Sequence, residues 1–361
     1  MTAWPVRGWC ATDAILIGDG PAMTRADLSA SSVPFASLTA ANARRVAVAL
    51  QCAATLTVGW AAYRWGGLGW AGAAAVAAVA LVLGYLISVG WAFVVTRTTL
   101  GTAIPDDPAW DRMPVPHEFR ISAAGFIACW LRECASVAWM FNVLQPFRAQ
   151  AAFDMPANGG KRVPVLMIHG YGCNRAVWLP LQKHLAAAGH PIDAIDLMPL
   201  LGDIDGYARD IAGAVARMTR AHGCAPVLLC HSMGGLAARA LLRQAPDGCQ
   251  VAHVITLGTP HRGTAMARSG RGHNVRQMAW ASPWLRQLAA SETPAVRERI
   301  TSIFSWHDSI VGPAGASWLE GARHIAFAAI GHVSLLCDAR VRDAVLAELA
   351  RIDGLQPTAS A

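Results

Sequence analysis

Ser232 stands in Cys230-His-Ser-Met-Gly-Gly235, directly after the apolar run Val227–Cys230 and directly before a helix opening at Met233. A serine on so sharp a strand-to-helix turn has its hydroxyl pushed out at the end of a sheet, where it can attack a carbonyl carbon. Such a turn crowds backbone and side chains together, so small residues are needed beside it. Gly234 and Gly235 supply them on the helix side. Position 230, where glycine is the usual occupant, holds a cysteine, which is still small. The amide of Met233, at a helix N-terminus, points to where an oxyanion would form. Alone, a Ser-x-Gly-Gly turn is equally an ordinary helix start, so its partners decide.

A serine nucleophile needs a base within hydrogen-bond reach and an acid to orient that base. On sheets that carry such an elbow the chain order is serine, acid, histidine. Asp308, in Trp306-His-Asp-Ser-Ile310, directly follows the strand-like run Ile300–Trp306 and is the expected acid. Asp247 sits in a Pro-Asp-Gly turn, and Asp338 reads as the N-cap of the last helix. His332, in Ile330-Gly-His-Val333, lies on a loop between the last strand and the last helix, where a glycine lets the ring reach over the sheet. His324 starts a strand, His307 flanks the acid, and His261 comes before it in the wrong order. A second oxyanion donor should follow the first strand, in Ile168-His-Gly-Tyr-Gly-Cys-Asn174. Gly170 and Gly172 permit close approach there, so the Tyr171 amide would pair with that of Met233. A glycine loop after a strand also suggests phosphate binding, but there is no G-x-G-x-x-G and no lysine to cradle a phosphate.

These residues need a rigid scaffold. From Lys161 the sequence alternates strands (163–169, 191–196, 227–230, 251–257, 300–306, 324–327) with helices (178–188, 204–222, 233 onward, 338–351). That alternation predicts an α/β domain, a mostly parallel sheet with helices on both faces.

His169-Gly170, Cys230-His-Ser-Met-Gly-Gly235 and Thr256-Leu-Gly-Thr-Pro-His-Arg-Gly263 together resemble the bacterial triacylglycerol lipases and carboxylesterases of the α/β-hydrolase superfamily. The resemblance covers about residues 161–353. It implies an α/β-hydrolase fold and hydrolysis of carboxylic esters, lipid esters among them, through an acyl-serine. Ser232 would be the nucleophile, Asp308 the acid, His332 the base, and Tyr171 and Met233 the oxyanion donors, with His169, Gly170 and Gly234 in support. No cofactor is implied. The secreted members place a calcium-ligating carboxylate shortly after the histidine; this chain has Ser334, so no metal is expected. The insertion at about 262–298 carries Met278, Trp280, Pro283, Trp284 and Leu285. It reads as a lid, with Trp280, Trp284 and Leu285 meeting the acyl chain, or as a pair of cap helices.

Composition separates this chain from the exported members. Hydrophobic residues make up 54% and charged residues only 15%, too apolar for an ordinary soluble protein. The run 46–63 is apolar or small except for Gln51 and two threonines, and 68–95 carries no charge. A bilayer core needs about 20 apolar residues, so a transmembrane hairpin is expected. Trp60, Tyr63, Trp65 and Trp70 cluster at its turn, as interfacial aromatics do, and its glycines permit close helix approach. Arg44 and Arg45 precede the hairpin and Arg97 and Arg112 follow it, against Arg64 alone in the turn. The positive-inside rule then puts both ends in the cytoplasm. From His117 to Leu144 a helix is expected, its polar stripe Glu118, Ser122, Arg132, Glu133 and Ser136 opposite Phe119, Phe126, Ile127, Trp130, Val137 and Phe141. A third span would bury Arg132 and Glu133 at about 2.5–3.5 kcal/mol each, so a helix in the interface or against the catalytic domain is favoured.

The expected layout is a disordered tail 1–40, hairpin 41–97, linker and amphipathic helix 98–160, catalytic domain 161–353 and C-terminal tail 354–361. Met23 is an alternative start, and no signal peptide opens the chain. The net charge of +7 is dispersed, without the aromatic-interleaved basic block that nucleic acid would want. Nine cysteines without metal or disulfide spacing suit a reducing compartment. Abundant alanine and arginine, with Lys161 and Lys183 the only lysines, mark a GC-rich bacterial genome. The expectation is therefore a bacterial inner-membrane serine hydrolase facing the cytoplasm, its partners an acyl-ester or lipid substrate and the bilayer, its oligomeric state open. An acyltransferase or thioesterase with the same triad, or a non-catalytic membrane scaffold, is the alternative.

Overall fold

Six short strands build the sheet: β1 (Val165–Ile168), β2 (Ile192–Ile195), β3 (Val227–His231), β4 (His253–Leu257), β5 (Ile300–Ser305) and β6 (Arg323–Phe327). They pair in parallel in the order β2-β1-β3-β4-β5-β6. Every residue of β1, β3, β4 and β5 is buried, as expected of strands covered on both faces. Alternate residues serve opposite faces. Leu166, Ile168, Leu228 and Cys230 enter one core, and Val165, Met167, Val227 and Leu229 the other.

This computed structural model describes residues 39–98, 113–153, 162–244 and 250–355, all within the unit Leu38–Ala361. The tail before Thr39, Met23, most of the linker 98–116, and the end of the C-terminal tail lie outside the described residues.

Three apolar helices precede the sheet. α1 (Ala40–Arg64) and α2 (Trp70–Thr98) are each long and apolar enough to cross a bilayer and fit a hairpin. Gly59 lets them close up, since a Cβ there would lie 3.3 Å from that of Ala77. At the turn the rings of Tyr63 and Trp70 stack at 4.0 Å. The expected helix from His117 is broken. A 3-10 turn (His117–Phe119) ends at Arg120 in extended backbone, and Ser122 then caps α3 (Ala123–Trp139) by accepting from the Gly125 amide. A π-helical turn (Met140–Leu144) leads on into the short α4 (Gln145–Phe147).

α3 packs on α2, where Trp130 donates to the Leu86 carbonyl at 3.1 Å and Phe126 meets Phe93 edge to face. Gln51, the polar residue of the first apolar run, accepts from Tyr85 of α2 at 3.2 Å and from Asn142 at 2.8 Å. Within the polar stripe Glu133 alone is fully buried, against the sheet domain, and the exposed Arg132 donates to the Ala329 carbonyl at 2.9 Å, while Ile127, Leu131 and Trp139 are exposed as well.

The remaining helices cover the sheet. α5 (Leu179–Ala187) and α11 (Ala339–Asp353) close one face, and α6 (Ile204–His222) and α7 (Met233–Gln244) the other. The insertion between β4 and β5 folds into α8 (His273–Gln277), α9 (Pro283–Ser291) and α10 (Pro294–Glu298).

Candidate active site

Ser232 has φ +55°, a left-handed conformation that few non-glycine residues adopt. Neighbouring chain holds it there. Its amide donates to the Leu257 carbonyl at the end of β4 (2.9 Å), and Thr259 Oγ1 donates to its carbonyl (2.8 Å). The glycines around it are needed for space. A Cβ on Gly234 would stand 2.5 Å from the Ile168 carbonyl oxygen, and one on Gly170 would stand 2.7 Å from Ser232 Cβ. A Cβ on Gly235 would run into Thr259. Cys230 fits where glycine was expected because its side chain enters the core, where burial pushes the thiol up and keeps it protonated.

The Gly170 contact brings the turn after β1 against the elbow, with Tyr171 at its edge. His169 pins that turn: Nδ1 bonds the Gly170 carbonyl at 2.9 Å, and Nε2 accepts from the Leu197 amide at 3.1 Å. The Met233 side chain is buried, and its amide opens α7.

His332 and Asp308 meet as expected, with Nδ1 2.8 Å from Oδ2. The other Asp308 oxygen accepts from the amides of Ile310 (2.8 Å) and Val311 (2.7 Å), which fixes the carboxylate's direction. Gly258, at φ +57°, lies beneath the pair; a Cβ there would stand 3.1 Å from Asp308 Oδ2 and 3.2 Å from His332 Nδ1. Burial opposes a proton on His332, but Asp308, by charge and hydrogen bond, and Glu133 by charge prevail and raise its pKa above the ordinary histidine value. His231, its ring centroid 4.6 Å away, is held well below that value by burial and by His332.

The competing residues have other duties. Asp338 caps α11 by accepting from the Arg340 amide, His324 stacks on Trp318 at 3.7 Å, and His261 bonds Thr256 Oγ1 at 3.1 Å. Asp247 lies outside the described residues.

Ser232 and His332 open into one cavity of about 360 Å³, with Gly170, Tyr171 and His231 on the same wall. The opposite wall is unforeseen in the sequence. Val89 and Ala92 of α2, Val137 of α3 and Phe141 form it, and Arg44 of α1 lines it too. The Arg44 guanidinium lies 4.1 Å over the Phe141 ring and donates to the Gly172 carbonyl at 3.2 Å.

The supposed lid residues are elsewhere. Leu285 is buried in the core shared with α6 and α7, and Trp284 rests against that core with Nε1 donating to Asp205 at 2.9 Å. Trp280 lies under Arg262 at 5.4 Å. Met266 is the insertion's contribution to the cavity. The physical reason is periodicity: Leu285 and Leu288 share one face of the short amphipathic α9 and bury it, leaving Trp284 to seal its edge.

The α/β hydrolase family profile matches residues 165–355. A triacylglycerol lipase of Burkholderia plantarii is 30% identical over 150 residues, 37% of this chain and 41% of that protein. A triacylglycerol lipase of Pseudarthrobacter phenanthrenivorans is 32% identical over 115 residues, 29% of this chain and 35% of that one. The chain spans less than half the length of these curated relatives. Among solved structures, the mature lipase BlEst2 of Bacillus licheniformis aligns over 54% of this chain and 95% of its own, at 16% identity and a TM-score of 0.48. With its parallel sheet, left-handed serine elbow and matched profile, the chain belongs to the α/β hydrolase family.

Proposed function

We propose that this protein is a membrane-anchored serine hydrolase that cleaves carboxylic esters of lipid-like acyl chains through an acyl-serine. The observation that carries this is one cavity holding a strained serine and a histidine already bonded to a buried aspartate. Ser232 attacks the acyl carbonyl while His332 takes its proton, then returns that proton to the leaving alcohol. Asp308 keeps the imidazole in the right tautomer, and the Tyr171 and Met233 amides receive the oxyanion. Water then enters where the alcohol left, gives a proton to His332 as it attacks the acyl-serine carbonyl, and His332 returns that proton to Ser232 Oγ as the carboxylic acid departs.

The hairpin supports lateral entry of substrate. Beyond its ties at Gln51 and Tyr85, each arm extends about 20 Å at 1.5 Å per residue. A hydrocarbon core of about 30 Å is thicker than that. To cross it, the hairpin must sink until the bilayer edge reaches Val89 and the exposed Ile127, Leu131 and Trp139 of α3. The cavity wall then adjoins acyl chains. The arginine balance at the hairpin ends supports a cytoplasmic side for the hydrolase.

A fluorophosphonate probe should label the full-length protein at Ser232, and Ser232→Ala should abolish both labelling and turnover of a panel of acyl esters. Turnover that survives Ser232→Ala would remove the serine mechanism.

A further inference from the structure

Glu133 sits on an N-terminal helix, yet its four donors among the described residues lie in the C-terminal half of the chain. Oε1 accepts from Ser309 Oγ at 2.6 Å and from the Val333 amide at 2.9 Å. Oε2 accepts from the amide (2.9 Å) and hydroxyl (2.7 Å) of Ser334. Burying a carboxylate is unfavourable unless its lone pairs are bonded, and two donors on each oxygen arrange this.

What the four bonds share is the chain they hold. Val333 and Ser334 directly follow His332. Ser309 directly follows Asp308, and its hydroxyl in turn accepts from the His332 amide at 3.3 Å. Gly331, just before His332, packs so closely on the Glu133 side chain that no Cβ would fit. Glu133 therefore touches the residues on both sides of the base and the residue after the acid. We propose that Glu133 is a positioning residue of the hydrolase, clamping from α3 the two loops that carry His332 and Asp308. The N-terminal helices then complete the site as well as tether it. This rests on the serine-hydrolase reading above.

The clamp is electrostatic as well as steric. Among the described residues, the titratable or charged groups around the His332 ring are Asp308 on the β5 loop, Glu133 on α3 and His231 on the elbow, with Arg44 of α1 and Tyr171 and Cys173 of the β1 turn lining the same cavity. The two carboxylates favour the imidazolium. Removing one must lower the proton affinity of the ring. Because the neutral ring is the base, the acid limb of kcat/KM should then move to lower pH.

The test uses the full-length protein in detergent micelles with p-nitrophenyl butyrate. Glu133→Gln keeps the shape but replaces one acceptor oxygen by a donor, so the backbone-amide bond at that atom is lost and the serine hydroxyl beside it must turn to accept. We expect kcat to fall about 10- to 100-fold, as for a small misplacement of a reacting group, with KM little changed. The acid limb should move down on the order of half a pH unit. Ser334→Ala removes one of the four Glu133 bonds, along with the Ser334–Ser136 hydroxyl bond, and no charge, so kcat should fall a few-fold with no change in the acid limb. An NMR titration of the His332 ring, assigned with His332→Ala, should show the same downward shift in Glu133→Gln without any turnover.

Glu133→Gln with the parent's kcat and acid limb overturns the proposal. So does a drop in kcat while the His332 midpoint stays put, which would make Glu133 mere packing. If Glu133→Gln does not fold, parental kcat in both Ser334→Ala and Ser309→Ala is the overturning result. A shifted NMR midpoint in a chain without esterase activity would keep the clamp and sink the hydrolase reading instead.

Discussion

The two walls of the cavity are built on different principles. The sheet wall is made of turns that leave β1, β3, β5 and β6, and the elbow and the acid turn are fixed by contacts within the sheet domain. Ser232 is forced into its conformation by flanking glycines and by the carbonyl of Leu257; Asp308 is aimed by the amides of Ile310 and Val311. The helix wall has no such local logic. Val89, Phe141 and Glu133 reach the cavity because α2 and α3 happen to dock there, tied by Trp130, Gln51 and Arg44. A wall specified by short motifs can carry chemistry whose geometry must be fixed. A wall specified by docking is free to set which substrate fits, and apart from Glu133, which grips the His332 and Asp308 loops, it can change without disturbing the first.

The largest effects should come from breaking the sheet wall. His332→Ala should lower kcat/KM by about three to six orders of magnitude, and adding Ser232→Ala should cost little more, because the triad acts as a unit. Asp308→Asn should cost about 10⁴-fold through the wrong tautomer. The raised pKa of His332 sets the pH dependence: at a given pH more of the base is protonated, so kcat/KM should climb through a midpoint above the ordinary value of about 6.5. Asp308→Asn should bring that midpoint down. Near-parental activity in Asp308→Asn together with its loss in Asp338→Asn would reassign the acid.

The helix wall should respond selectively. Val89 is buried and lines the cavity, so Val89→Trp fills space that the sheet wall does not own. Turnover of a palmitoyl ester should drop about 10-fold or more while a butyryl ester loses little, since each methylene excluded from an apolar pocket is worth about 1–3 kcal/mol. Equal losses on both esters would mean that α2 does not bound the acyl site, and the contrast between the walls would fail.

That contrast also explains what could be read from the sequence. The elbow, the β1 turn and the order Ser232, Asp308, His332 were legible because each is a short pattern with its own steric reason. The sheet was legible from apolar runs alternating with helical ones. The α3 stripe was visible as polar residues at helical spacing, but periodicity gives a face and not its partner. Nothing near Glu133 in sequence points to Val333 and Ser334, and an interfacial headgroup region was an equally good destination for the stripe. Gly258 was in view inside Thr256-Leu-Gly-Thr259, yet the space above it, taken by Leu335 and by the Asp308–His332 pair, is purely tertiary.

Trp284 is the position at which the two readings of the insertion part most cleanly, and it should give the smallest catalytic effect. As a lid residue it would be missed mainly on vesicles, where an open lid inserts. In the fold it is a half-buried edge piece: its ring seals α9 over the α6–α7 core, its Nε1 donates to Asp205, and Arg243 lies 5.7 Å over it while also pairing with Asp205. Trp284→Ala should therefore lower stability by about 2 kcal/mol, less than the 3–5 kcal/mol of a fully buried ring, seen as a lower midpoint in denaturant. The ratio of turnover on vesicles to turnover on a soluble butyryl ester should stay that of the parent. A ratio that falls several-fold at unchanged stability would return the insertion to the substrate path, and the cavity would then have a third wall.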